Sequence, residues 1–88
     1  MPDEPLLREH ARAAIREGRI PLRYPDRVWG GPGAGEPCAV CKLPILRDQL
    51  ELEIQFARSD GARPRLDKFH LHIRCFSAWE MERTKPRT

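Results

Sequence analysis

Two pairs of residues with metal-binding side chains are separated by 30 residues in this chain, and both pairs have the same internal spacing. They are Cys38-Ala39-Val40-Cys41 and His72-Ile73-Arg74-Cys75. A two-residue gap allows both members of a pair to face one ion, and thiolate and imidazole groups are ligands that zinc prefers. Because the pairs use all three cysteines, the pattern predicts one zinc ion bound by Cys38, Cys41, His72 and Cys75.

Two other interpretations of these residues remain open from the sequence. Cys38 and Cys41 could form a redox couple with Cys75 as a buried thiol. This leaves His72 without a role and lacks the βαβ context of thioredoxin-like motifs. His70 could replace His72 as the fourth ligand, but its spacing to Cys75 exceeds one helical turn, so the geometry favours His72.

The composition limits the class of protein. The chain has 88 residues, of which 40% are apolar and 33% charged, enough for one small domain with a modest core. No apolar run approaches the roughly 18 residues of a transmembrane helix, and the start Met1-Pro2-Asp3-Glu4 lacks the basic residues of a secretory signal. We therefore expect a cytoplasmic, reducing location, where a Cys-x-x-Cys pair is more often metal-binding than part of a disulfide framework.

The first 37 residues are predicted to form a helix and an irregular connector. Residues 4–17 are predicted to be helical, because apolar side chains recur at helical spacing and Gly18 stands where a helix would end. The apolar stripe consists of Leu7, Ala11, Ala14 and Ile15. The connector covers 19–37 and is rich in proline and glycine, which allows a short strand at Arg27-Val28-Trp29 and predicts a flexible loop from Gly30 to Gly35.

The second half has more regular patterns. Apolar and polar residues alternate from Leu50 to Ala57, which is typical of a half-buried strand. A turn at Ser59-Asp60-Gly61 and a returning strand from Leu66 to Leu71 complete a predicted hairpin. A final helix is predicted to begin at His72 and to end at Thr84.

The order of these elements predicts a small α+β domain. A zinc knuckle, a β-hairpin and a C-terminal helix form a treble-clef-like arrangement, to which the N-terminal helix is added. We expect one domain over 1–88 with its zinc-binding core at 38–84. Aromatic side chains are expected in the core, and Trp29 is the weakest member of the set because it follows an irregular stretch. The expected core aromatics are Trp29, Phe56, Phe69, Phe76 and Trp79.

The spacing Cys-x2-Cys-x30-His-x2-Cys resembles that of the zinc finger in poly(ADP-ribose) polymerases and some DNA ligases, which recognises DNA breaks. Ile45, Leu50 and Phe76 agree with the same pattern, and the resemblance covers Cys38 to about Trp79. It implies a zinc domain with a small sheet and a helix, and it makes DNA a candidate partner.

Two sets of residues that contact DNA breaks in that family have no counterpart in this chain. The arginine that enters the DNA in the family corresponds to Glu51 here. The apolar residues that stack on an exposed base correspond to a loop of Arg63, Pro64, Arg65, Leu66 and Asp67. The resemblance therefore does not predict the recognition of nicks.

The sequence predicts a non-catalytic zinc-binding module, because four protein ligands leave no coordination position for water or substrate. The ββα-metal nucleases share the outline but usually need an asparagine, and this chain has none.

Nucleic acid is the first predicted partner, contacted at its phosphates by Arg58, Arg63, Arg65 and Lys68. The alternative is an adaptor that binds another protein through the N-terminal helix and Trp29. The small net charge of +3, about +2 with three thiolates and Zn²⁺ counted, favours the adaptor, as does Glu51, whereas the spacing of the ligand pairs favours nucleic acid.

Overall fold

A computed structural model of the chain describes residues 4–60 and 63–85, except for the side chains of residues 59, 60 and 63. Within these ranges the chain forms two helices and three strands, namely α1 (Glu4–Arg16), β1 (Arg27–Pro32), β2 (Leu50–Asp60), β3 (Arg63–His72) and α2 (Ile73–Arg83). These elements confirm the predicted α+β class. The predicted turn at Ser59-Asp60-Gly61 is wrong at its first two residues, because Ser59 and Asp60 belong to β2 and pair with Pro64 and Arg63 of β3. Gly61 lies outside the described residues. No helix within the described ranges is long and apolar enough to cross a membrane.

The three strands form one antiparallel sheet in the order β1-β2-β3. In the central strand, Ile54 lies opposite Val28 of β1 and Phe69 of β3. Because side chains alternate along a strand, Ile54, Phe56 and Leu71 share one face, and all three are buried. This face forms the sheet side of the core.

The helix α2 covers that face with Trp79, which is fully buried. The ring of Phe56 lies edge-on to Trp79 and to Phe69, with centroid distances of 6.3 and 5.6 Å, an arrangement that aromatic rings favour. The indole Nε1 of Trp79 donates a hydrogen bond of 3.0 Å to the carbonyl of Pro21, which ties the connector to α2. The predicted aromatic core is confirmed for Phe56 and Trp79, with Phe69 and Phe76 packed against it. It is wrong for Trp29, which is 55% exposed on β1.

The helix α1 ends at the glycine that the sequence pattern indicated. Gly18 has φ 75°, a left-handed conformation that costs glycine little. Its N–H donates to the carbonyl of Ile15 and the N–H of Arg19 donates to that of Ala14, at 3.1 and 2.9 Å, which is a Schellman cap. The apolar stripe packs against α2, and its buried members are Leu7, Ala11 and Ala14.

A buried carboxylate joins the two helices. Oε2 of Glu82 on α2 accepts hydrogen bonds from Arg8 Nε at 2.8 Å and from Arg12 Nη1 at 3.2 Å. Burial raises the pKa of Glu82, but the bond from Arg8 and the charges of both arginines outweigh it and hold the pKa below its ordinary value. The contribution of this carboxylate to stability is therefore complete at neutral pH and is lost as the pH falls through the lowered pKa.

The connector is more ordered than its composition predicts. The strand β1 continues from Arg27 through Gly30 and Gly31 to Pro32, so the prediction of a flexible loop that begins at Gly30 is wrong. Backbone pairing with β2 explains the difference: Gly31 lies opposite Glu51, and this ladder does not depend on side-chain pattern. Gly33 then packs against the loop that follows the second cysteine, donating from its N–H to the Gln49 carbonyl at 2.9 Å.

Candidate metal centre

The first pair of cysteines lies on a tight turn between residues 37 and 44. The N–H of Lys42 donates to the carbonyl of Cys38, and the N–H of Cys38 donates to that of Leu43, both at 2.9 Å. Lys42 has φ 71°, which closes the turn directly after Cys41. The N–H of Val40 points at Cys38 Sγ from 3.4 Å, as expected for a sulfur that carries negative charge.

The second pair lies at the junction of β3 and α2. His72 is the last residue of β3 and the N-cap of α2, and its side chain makes no capping hydrogen bond. The imidazole is directed at the cysteines instead, and Cys75 in the first turn of α2 joins it. The first turn contains no acidic residue, so the positive end of the helix dipole is available to stabilise thiolates.

The four predicted ligands meet in one cluster. One donor atom from each lies within 4.8 Å of the others. Nδ1 of His72 is 3.4 Å from Cys41 Sγ and 3.8 Å from Cys75 Sγ. A tetrahedral zinc ion, with Zn–S of about 2.3 Å and Zn–N of about 2.0 Å, separates sulfur and nitrogen by about 3.5 Å. The cluster can therefore hold a metal ion, and its donors and spacing are consistent with zinc.

The imidazole of His72 is held in the orientation that a metal ligand needs. Its Nε2 lies 3.3 Å from the carbonyl of Pro44 and 3.2 Å from Oε1 of Gln49. Both partners are acceptors, so Nε2 carries the proton and the lone pair of Nδ1 faces the sulfurs. Gln49 is itself fixed, because its Oε1 also accepts from the N–H of Leu46 at 2.8 Å. Such outer partners orient histidine ligands in metal sites.

The pKa values of the three cysteine thiols are shifted in different directions. A hydrogen bond from the Cys75 thiol lowers the pKa of Cys38 to about 4. The same bond raises the pKa of Cys75, because it holds the donating thiol in its protonated form. Burial raises the pKa of Cys41. A metal ion bound here would displace the remaining thiol protons.

His70, the other candidate for the fourth ligand, is not part of this cluster. Its ring lies beside Glu51 and Glu53, with Nδ1 2.8 Å from Oε2 of Glu51. Its backbone supports the centre, since the carbonyl of His70 accepts from the N–H of Ala39 at 2.8 Å. This bond docks the cysteine turn on the outer edge of β3.

The predicted nucleic-acid-binding residues do not form one patch. Arg58 lies opposite Arg65 on one face of the hairpin, whereas Lys68 lies opposite Gln55 and therefore on the other face. Arg58 is also engaged by a carboxylate, with its Nε 3.2 Å from Oδ2 of Asp67. The side chain of the fourth residue, Arg63, lies outside the described residues.

An apolar groove beside the cluster was not predicted. The loop after the cysteine turn supplies Leu43, Pro44 and Leu46. The groove is completed by Leu7, Gln49 and three of the four ligands, Cys41, His72 and Cys75. Leu43 and Leu46 are 56% and 50% exposed. The signal in the sequence was the run Leu43-Pro44-Ile45-Leu46, in which only Ile45 is buried.

No protein-family model matches this chain, and no curated protein or solved structure is significantly similar to it. The chemistry of the centre is therefore inferred from its own side chains and distances.

Proposed function

We propose that this chain is a non-catalytic module stabilised by one structural zinc ion. The observation that carries the proposal is the cluster of three thiols and one imidazole, which supplies the four donors of a closed tetrahedral shell. Cys38 and Cys41 would bind the ion from the turn, with His72 and Cys75 binding it from the start of α2. The turn, the hairpin and α2 would then form a treble-clef-like unit in which the ion joins the first element to the last.

The surface beside the ion favours a protein partner. Leu43 and Leu46 expose apolar side chains on a groove, and exposed apolar grooves with a polar border are typical of interaction sites. Of the four exposed charged residues that stand next to groove residues in the chain, three are cations (Lys42, Arg47 and Arg74) and one is the carboxylate Asp48. We therefore propose that the groove binds a peptide segment that combines an apolar side chain with carboxylates.

Peptides selected from a display library against the zinc-loaded chain should combine acidic and apolar residues. Leu46→Ser should weaken their binding at least about fivefold, because truncation of a central apolar contact costs more than about 1 kcal/mol. Leu66→Ser is the matched control, since Leu66 is 48% exposed but lies on the hairpin. Fluorescence anisotropy of a labelled peptide measures both variants. Equal affinity of the unmodified chain and Leu46→Ser would exclude the groove as the binding site.

Nucleic acid is a second candidate, favoured by the pairing of Arg58 and Arg65 on one face of the hairpin. If the hairpin contacts phosphates, Arg65→Glu should weaken binding to a short DNA duplex and reduce its dependence on salt. Lys68→Glu makes the same change of charge on the opposite face and should have a smaller effect. Equal losses in the two variants would indicate only a response to net charge, and no binding by the unmodified chain would leave the protein partner as the function.

A further inference from the structure

A second cluster of metal-binding side chains lies on the polar face of the sheet. Glu51 and Glu53 stand two positions apart on β2, and His70 lies opposite Glu53 on β3, so the three side chains share a face. One donor atom from each lies within 4.8 Å of the others. We propose that Glu51, Glu53 and His70 bind a divalent transition-metal ion, distinct from the ion of the cysteine cluster.

The buried carboxylate of Glu51 is the first reason. Its side chain is only 12% exposed, and Oε2 lies 2.8 Å from His70 Nδ1. Its other oxygen, Oε1, is buried and has no hydrogen-bond partner among the described residues. Removing a carboxylate oxygen from water without a partner is costly, and a cation bound to the carboxylate removes that cost.

The position of Glu53 is the second reason. Its Oε1 lies 3.9 Å from Nδ1 of His70, on the same nitrogen that Glu51 contacts. Its Oε2 accepts a hydrogen bond of 2.6 Å from Nε2 of Gln55, a buried residue that fixes the orientation of the carboxylate. One carboxylate oxygen is within hydrogen-bond distance of Nδ1 of His70 and a second lies 3.9 Å from it, so a metal ion in the place of the proton would have both carboxylates and the imidazole as ligands.

Space for further ligands is present beside the cluster. Gly31 lies opposite Glu51 on β1, and a Cβ added to it would meet nothing within 4 Å. Three protein ligands leave coordination positions open, so water or an exogenous donor can complete the shell from this side. This arrangement differs from the cysteine cluster, in which four protein side chains are available for one ion.

The donor atoms of the two clusters differ, so the ranges of metals that they accept overlap only in part. Thiolates favour zinc and other soft ions, whereas an imidazole with two carboxylates suits Mn²⁺, Fe²⁺, Co²⁺ or Zn²⁺. His70 and His72 stand two positions apart on β3, and each contributes its imidazole to a different cluster. The chain thus has donors for one ion bound mainly by sulfur and for a second bound by oxygen and nitrogen.

Cobalt distinguishes the two sites, because Co²⁺ bound to thiolates shows sulfur-to-metal charge-transfer absorption and Co²⁺ bound to oxygen and nitrogen does not. The full chain is first loaded with one equivalent of zinc, which the thiolates of the cysteine cluster hold, and is then titrated with Co²⁺ while the absorption spectrum and the bound metal are measured. We expect one further equivalent of Co²⁺ without charge-transfer absorption. Glu51→Gln and Glu53→Gln should each weaken this binding more than about 100-fold, since loss of an outer-shell partner alone costs about 10- to 100-fold.

Glu9→Gln is the matched control, because it makes the same change on the exposed surface of α1 and should bind Co²⁺ as the unmodified chain does. Glu53→Gln keeps the test valid if Glu51→Gln fails to fold. Cobalt that enters only with charge-transfer absorption, or that binds the two cluster variants as tightly as the unmodified chain, would overturn the proposal. The zinc content of the cysteine cluster is measured separately, so its failure would not be mistaken for failure of the second site.

Discussion

Cys75→Ala should leave the chain largely unfolded even with zinc in excess. Structural zinc supplies about 10–16 kcal/mol in small zinc domains, more than the net stability that a core of this size provides alone. Cys75 is fully buried and lies in the first turn of α2, so its loss removes one ligand and opens a cavity at the same point. Far-UV circular dichroism and native mass spectrometry, which counts bound zinc, measure the effect.

Ser77→Ala is the control for that variant, because Ser77 is exposed on the same helix and should keep one zinc ion and the native spectrum. Addition of a chelator to the unmodified chain should reproduce the unfolding of Cys75→Ala. A chain that is folded without zinc, in either experiment, would contradict the structural role proposed for the ion.

Gly33→Ala should destabilise the zinc-loaded chain by about 3 kcal/mol or more. An added Cβ would lie 2.5 Å from the carbonyl oxygen of Ile45 and closer still to that of Leu46. Both neighbours are backbone atoms, which cannot rotate away as a side chain does, so the loop from 45 to 49 has to move. That loop carries Gln49, the partner of His72, and the change should therefore also weaken metal binding.

Chemical denaturation of the zinc-loaded protein measures this loss as a shift of the midpoint at unchanged slope. Gly31→Ala is a close control, since Gly31 lies two residues earlier and its added Cβ would meet nothing within 4 Å. We expect its stability to remain within about 1 kcal/mol of the unmodified chain. Similar losses in both variants would show that glycine flexibility, and not the close approach at Gly33, is what matters here.

The sequence predicted those helices and strands in which apolar and polar side chains alternate with the period of the element. The apolar stripe ending at Gly18 predicted α1 to within a residue, and the alternation from Leu50 to Ala57 predicted most of β2. The matched pairs of cysteine and histidine predicted the cluster, because their spacing is a property of local structure. The structure brings the same four residues together and places His70 elsewhere.

Features that depend on pairing between distant residues were not predictable. Gly30, Gly31 and Pro32 carry no periodic pattern, and only the hydrogen bonds to β2 make them a strand. The register that brings Glu53 opposite His70 depends on where the hairpin turns, and a shift of one residue would move every side chain to the other face. The alternation along β2 predicted a half-buried strand, and it could not show that Glu51 on the polar face would be largely buried.

His72 belongs to three parts of the molecule at once: it closes β3, it precedes the first turn of α2, and its ring lies against the cysteines. Fraying of the strand end, unwinding of the first helical turn and opening of the cysteine turn would each displace the same ring. These three openings should therefore occur as one event, with a common free energy of opening measured by amide hydrogen exchange across residues 38–42 and 70–76. The imidazole of His72 therefore joins the cysteine turn, the end of β3 and the start of α2 into one unit that opens cooperatively.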